Sequence, residues 1–162
     1  MKILGFDPGT KRLGYGIIKI EYQKIKIIYA DCFEPKNSKE EKNLEEIFKK
    51  INLLIKKYKP DLISIEKIFF AQNQKTAFQI SQVRGVLLLA ASQNKIPIIQ
   101  PTPLEIKTCL TGYGRADKNQ VALMVKKILK LEKIPKKDDT SDALACAITA
   151  YYFVKTNSKI KS

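Results

Sequence analysis

Two short apolar runs in this chain each end on a single acidic residue: ILGFD at 3–7 and ISIE at 63–66. Short runs rich in Ile, Leu and Phe read as buried strands. A carboxylate at the tip of a buried strand gives up hydration that a surface loop would leave it. A helical pattern lies between the two runs, and parallel strands require such a crossover. Ligands of open α/β sheets collect beyond the carboxyl ends of the strands. Asp7 and Glu66 are therefore expected to converge there.

The other elements follow in a clear order. GYGIIKI (14–20) and IKIIYADC (25–32) read as two more strands, joined to the first as a meander. Ser38 is expected to open a helix, with Glu41 completing a capping box. Leu44, Ile47, Phe48, Ile51, Leu54, Ile55 and Tyr58 give that helix one apolar face, and Pro60 ends it. A helix is expected over 75–93. From Val83 to Ala91 it is apolar almost all round, broken only by Arg84 and Gly85, so it asks for burial on more than one side. PIIQ (97–100) reads as a short fifth strand and 103–109 as a helical turn. The glycine-rich loop TGYGRADK (111–118) precedes a helix over 118–131. A last helix is expected over 139–154. The fold class is α/β: a five-stranded mixed sheet, with an antiparallel three-strand meander and parallel strands, flanked by helices. Residues 1–154 form one domain, and 155–162 are expected to be a basic, disordered tail.

Composition narrows the chemistry. The 162 residues include 30 basic and 16 acidic ones, a net charge of +14, which attracts polyanions, nucleic acid foremost. The absence of histidine excludes a histidine-based triad and histidine-ligated metals. Cys32, Cys109 and Cys146 have neither zinc spacing nor the even count of a disulfide framework. The longest apolar stretch, VLLLAA (86–91), is too short to span a bilayer. Asp7 interrupts the first apolar run too early for a signal peptide. A cytoplasmic protein with no membrane attachment is expected.

A third acidic element is KKDDTSDALA. Asp139 and Asp142 are three apart and share one face of the last helix. They stand in its first turn, where the helix dipole favours negative charge. Asp138 competes with Asp139, because 138 and 142 also share a face; spacing does not separate the two. Each acid has an ordinary alternative. Asp7 could initiate the Pro-Gly turn, Glu66 could pair with Lys67, and the aspartates could simply suit a helix start. Together they say more. Two unit charges about 4 Å apart cost roughly 4 kcal/mol at an effective dielectric near 20. An oxygen-only cluster calls for a hard divalent cation, Mg²⁺ or Mn²⁺. Two such ions would balance four carboxylates and clamp both oxygens of a phosphodiester exchange. A basic chain with that site reads as a metal-dependent nuclease.

FDPGT with GYG, then IEKIFFAQN, SQVRG, GYGRADKNQV and DTSDALA carry a resemblance. From about residue 2 to 153 the chain resembles the RuvC family of Holliday junction resolvases, bacterial endonucleases with an RNase H-like fold. The resemblance implies that Asp7, Glu66, Asp139 and Asp142 bind two metal ions, and it selects Asp139 over Asp138. It implies that Phe69 stacks on or wedges between bases at the junction centre. It also implies that Lys107 and Lys118 stand near the scissile phosphate. Ser81 departs from the glycine expected in that stretch. The implied partners are four-way junction DNA, a second copy of the chain and the RuvA–RuvB branch-migration complex. The implied activity is paired symmetric nicking in recombination and repair, leaving 5′-phosphate ends. DPGTKRLG also resembles the opening of nucleases that trim ribosomal RNA precursors. An actin-like ATPase is disfavoured, because the chain is short for two lobes and lacks a second phosphate-binding turn.

Overall fold

The computed structural model describes residues 1–9, 11–67 and 74–160. Its strands are β1 (Lys2–Pro8), β2 (Leu13–Glu21), β3 (Lys24–Phe33), β4 (Leu62–Ile65) and β5 (Ile98–Ile99). Its helices are α1 (Glu40–Tyr58), α2 (Gln74–Gln93), α3 (Pro103–Thr111), α4 (Lys118–Leu129) and α5 (Asp138–Ile160). The five strands form one sheet in the order β3-β2-β1-β4-β5. β1, β2 and β3 pair antiparallel, while β4 is parallel to β1 and β5 to β4. This is the mixed sheet expected from the meander and the helical crossovers.

Strand side chains alternate between the faces of the sheet. Leu4, Phe6, Ile63 and Ile65 face one core, shared with Ile47, Ile51, Leu54 and Ile55 of α1 and Val83 and Leu87 of α2. Ile3, Ile18 and Leu62 face a second core with α3, α4 and α5. By the same alternation, Gly5, Asp7, Ser64 and Glu66 belong to the α5 side. Ser64 makes the connection explicit, donating its hydroxyl to the Cys146 carbonyl of α5 at 2.9 Å.

α5 lies unusually close to the sheet. A Cβ on Gly5 would collide with the Ala143 carbonyl and with Ala147. A Cβ on Gly14 would strike the Asp139 backbone, and one on Gly16 the Leu144 side chain. Gly5 and Gly16 are cross-strand partners, and Gly14 pairs with Asp7. The three glycines thus form a bare strip across β1 and β2, and α5 meets it with Asp139, Ala143, Leu144 and Ala147. Gly5→Ala is expected to push α5 outward and destabilise the protein by about 1–3 kcal/mol. Thermal unfolding should show a Tm lower by about 3–10 °C; an unchanged Tm would contradict this packing.

Two boundaries differ from expectation. α1 begins at Glu40 with Lys39 as N-cap and no side-chain cap, so the Ser38–Glu41 capping box does not form. The Asn37 backbone instead donates to the Asn43 side chain at 2.9 Å, fixing the approach to the helix. α5, expected to end near 154, continues to Ile160, so the segment read as a disordered tail is helical up to that residue. TNSKI contains neither glycine nor proline, so nothing in it stops a helix already propagating. Ser81 in α2 donates to the Ala77 carbonyl at 2.8 Å.

Candidate active site

The β1–β4 register ends with Phe6 opposite Ile65, which makes Asp7 and Glu66 the next residues along two adjacent parallel strands. The Glu66 amide still reaches the Phe6 carbonyl, at 3.4 Å. α5 enters from the same side, held close by the glycine strip, and brings Asp142 in its first turns. Asp7, Glu66 and Asp142 line one cleft of about 290 Å³. Lys107 of α3 and Lys118 at the start of α4 complete its polar lining, with Ile106, Val121 and Ala145 as apolar wall. α3 is fixed by Thr102, whose hydroxyl accepts from the Glu105 amide while Glu105 accepts from the Thr102 amide. Asp117 and Gln120 cap α4 in the same reciprocal way.

The electrostatics of this cleft are strained. Burial pushes the Asp7 carboxyl up to about 8, with Glu66, Asp142 and Asp139 adding repulsion. Glu66 is pushed up to about 7, first by burial and then by Asp142, against the pull of Lys118 and Lys107. Asp142 is also raised by burial, and Lys118, 3.5 Å away, opposes this. Desolvated like charges disfavour ionisation unless a cation arrives. The donor set consists only of carboxylate oxygens, which suits Mg²⁺ or Mn²⁺. Among the described residues, no three acids stand close enough to form a closed cage.

The sequence-predicted residues do not all meet in one cavity. Asp139 lies in an adjoining cleft, where Arg12 Nη1 approaches its Oδ2 at 3.5 Å. Asp138 lines that second cleft as well and is exposed. Asp139 is still near enough to raise Asp7. Lys107 and Lys118 fall in the first cleft with three of the acids. Phe69 lies outside the described residues. Sequence reasoning missed Arg12, which bridges Asp139 and Glu34, with its Nε 3.3 Å from the latter. Its one available signal was rarity, as one of three arginines among 30 basic residues.

The comparisons with known proteins give the family and the fold. The family described as Crossover junction endodeoxyribonuclease RuvC matches residues 3–150. The chain belongs to the RuvC family. It is 41% identical over 163 residues to the RuvC of Syntrophomonas wolfei, covering 100% of this chain and 95% of that one. It is 45% identical over 153 residues to the RuvC of Dictyoglomus thermophilum, covering 94% of this chain and 97% of that one. The solved structure of Thermus thermophilus RuvC superposes with a TM-score of 0.89 at 27% identity, covering 97% of each chain. Thermus RuvC in complex with a Holliday junction substrate gives 0.87 at 25% identity, covering 96% of each. The RuvC-family chain therefore has the RNase H-like fold that its motifs implied.

Proposed function

We propose that this chain is a metal-dependent, structure-specific endonuclease that resolves Holliday junctions by paired symmetric nicks. The observation that carries this reading is the convergence of Asp7, Glu66 and Asp142 with Lys107 and Lys118 on one cleft. Family membership and a relative solved with a Holliday junction supply the substrate. Asp7, Glu66 and Asp142 would hold the metal, with Asp139 of the adjoining cleft joining them on release from Arg12. When bound, two Mg²⁺ ions, or Mn²⁺, supply the charge that makes water nucleophilic at neutral pH and stabilises the leaving oxygen. A bound cation would favour the ionised forms of Asp7 and Glu66, since its charge would offset the burial that chiefly raises them and the repulsion that adds to it. Lys118 and Lys107 hold the scissile phosphate and orient it for in-line attack, leaving a 5′-phosphate. Phe69 is the base-stacking residue in this reading.

The protein acts as a homodimer through α2. Val83, Leu87, Ala90 and Ala91 of that helix face the core, while Phe78 and Leu89 are 67% and 53% exposed. Phe78, Gly85 and Leu89 recur at helical spacing on one outer face, and the space beyond Gly85 is open. A two-fold dimer on this face presents two sites to two symmetric strands. Leu89→Glu should turn a dimer into a monomer in sedimentation at micromolar concentration without unfolding the chain; a wild-type monomer would remove the proposal. No helix among the described residues is long and apolar enough to cross a membrane. The compartment we assign is the cytoplasm, with the RuvA–RuvB branch-migration complex as the partner that delivers the junction.

Incubation with a synthetic four-way DNA junction and with linear RNA, each with and without Mg²⁺, tests the reading on strand-resolved gels. Symmetric nicks in the junction only with Mg²⁺ are expected. Cleavage of the RNA with an intact junction would favour the ribosomal RNA-processing type of nuclease instead.

A further inference from the structure

A second cleft, of about 520 Å³, adjoins the carboxylate cleft and shares Lys118 with it. Its lining among the described residues includes five cations, Lys11, Arg12, Lys118, Lys136 and Lys137, against two acids, Asp138 and Asp139. Several of these charges are already engaged. Arg12 is held between Glu34 and Asp139, and Lys137 Nζ stands 3.6 Å from Glu34. Lys118 leans toward Asp142. Lys11 and Lys136 are exposed. No ion pair involves either of them among the described residues. The cleft therefore carries more positive charge than its own acids take up.

From this juxtaposition we propose that the second cleft is a phosphate subsite for the cut strand. It takes a backbone phosphate next to the scissile one, with Lys11 and Lys136 as its principal contacts. The inference rests on the nuclease reading above. Lys118 links the two clefts, so a strand with its scissile phosphate in the first has a neighbouring phosphate within reach of the second. A polyanion is a better match than a small free anion. The cleft is open and its cations sit on flexible stems, so it suits a repeating charge held loosely at several points. Contacts of this kind fix the register of the strand over the carboxylates without reading its sequence.

The test is the salt dependence of junction binding in EDTA, which stops cleavage. The variant is Lys11→Gln with Lys136→Gln. The control is Lys24→Gln with Lys59→Gln, which removes the same charge at the opposite end of the sheet. Each phosphate contact contributes about 0.9 to the slope of log affinity against log salt. The cleft variant is expected to lower that slope by about 1–2 and to weaken binding about tenfold at physiological salt. The control should leave the slope near that of wild type. The rise in Tm of the free protein with Mg²⁺ should match wild type in the cleft variant, which shows an intact fold and metal site. A slope equal to that of the control overturns the subsite and leaves the nuclease reading standing. Wild-type protein that binds a four-way junction no better than linear duplex overturns both.

Discussion

Asp7→Asn is expected to bind four-way junctions as wild type does and to cut them at least about a thousandfold more slowly. The lysines that attract DNA are untouched by the change, so affinity in EDTA should hold. The asparagine keeps the shape of the side chain and loses the charge a divalent ion needs. Charge stabilisation by a bound metal is worth several kcal/mol of the barrier, and about 4 kcal/mol corresponds to a factor of about 10³. Single-turnover cleavage beside a gel-shift titration checks both halves. Cleavage at the wild-type rate with Mg²⁺ would remove Asp7 from the metal site. A parallel loss of binding would make its role structural.

The second large effect concerns stability in metal-free buffer, which should fall as pH rises from about 5 to about 8. The sign follows from the carboxyls. Asp7 is raised from 3.8 to about 8, and Glu66 from 4.5 to about 7. Between those limits the folded chain holds protons that the unfolded chain has released. Raising the pH therefore favours unfolding, by up to about 1.4 kcal/mol per unit for each such proton. Water reaches both partly exposed carboxylates, so this is an upper limit. Above about pH 8 the loss is complete. Asp7→Asn removes one such proton from the balance, so its Tm advantage over wild type should grow from pH 5 to pH 8. Mg²⁺ should stabilise wild type at pH 8, by about 2.7 kcal/mol at a hundred times its Kd, or about 5–10 °C in Tm. It should do little at pH 5, where protons compete for the same oxygens. A Tm difference between variant and wild type that stays constant with pH would contradict the strained cleft.

Much of this was legible from the chain. The acid at the end of each apolar run located Asp7 and Glu66, because the two-residue period fixes which face a strand tip presents and the crossover rule fixes direction. The D-x-x-D spacing located Asp142 through the helical period. The split between the acids was not legible. Whether Asp139 joins the others or turns to Arg12 depends on where Arg12 is placed against the start of α5, and side-chain period says nothing about that. The Gly9 amide donates to the Arg12 carbonyl at 3.0 Å. The capping box at Ser38 failed for a similar reason: a local motif lost to the hydrogen bond from the Asn37 backbone to Asn43, six residues on. The purpose of GYG was also hidden. Its glycines make room for a helix more than a hundred residues further along the sequence, and no local pattern reports such a neighbour.

That bare strip has a consequence for how the catalytic centre tolerates change. Where side chains set the gap between two layers, each core substitution alters the gap and with it the reach between reacting groups. Here backbone rests on backbone at Gly5 and Gly14, so the offset of Asp142 from Asp7 is insulated from drift in the apolar layers. Substitutions in the core are expected to leave that offset in place, and the tolerance ends at Gly5 and Gly14, where one methyl group would meet the α5 backbone.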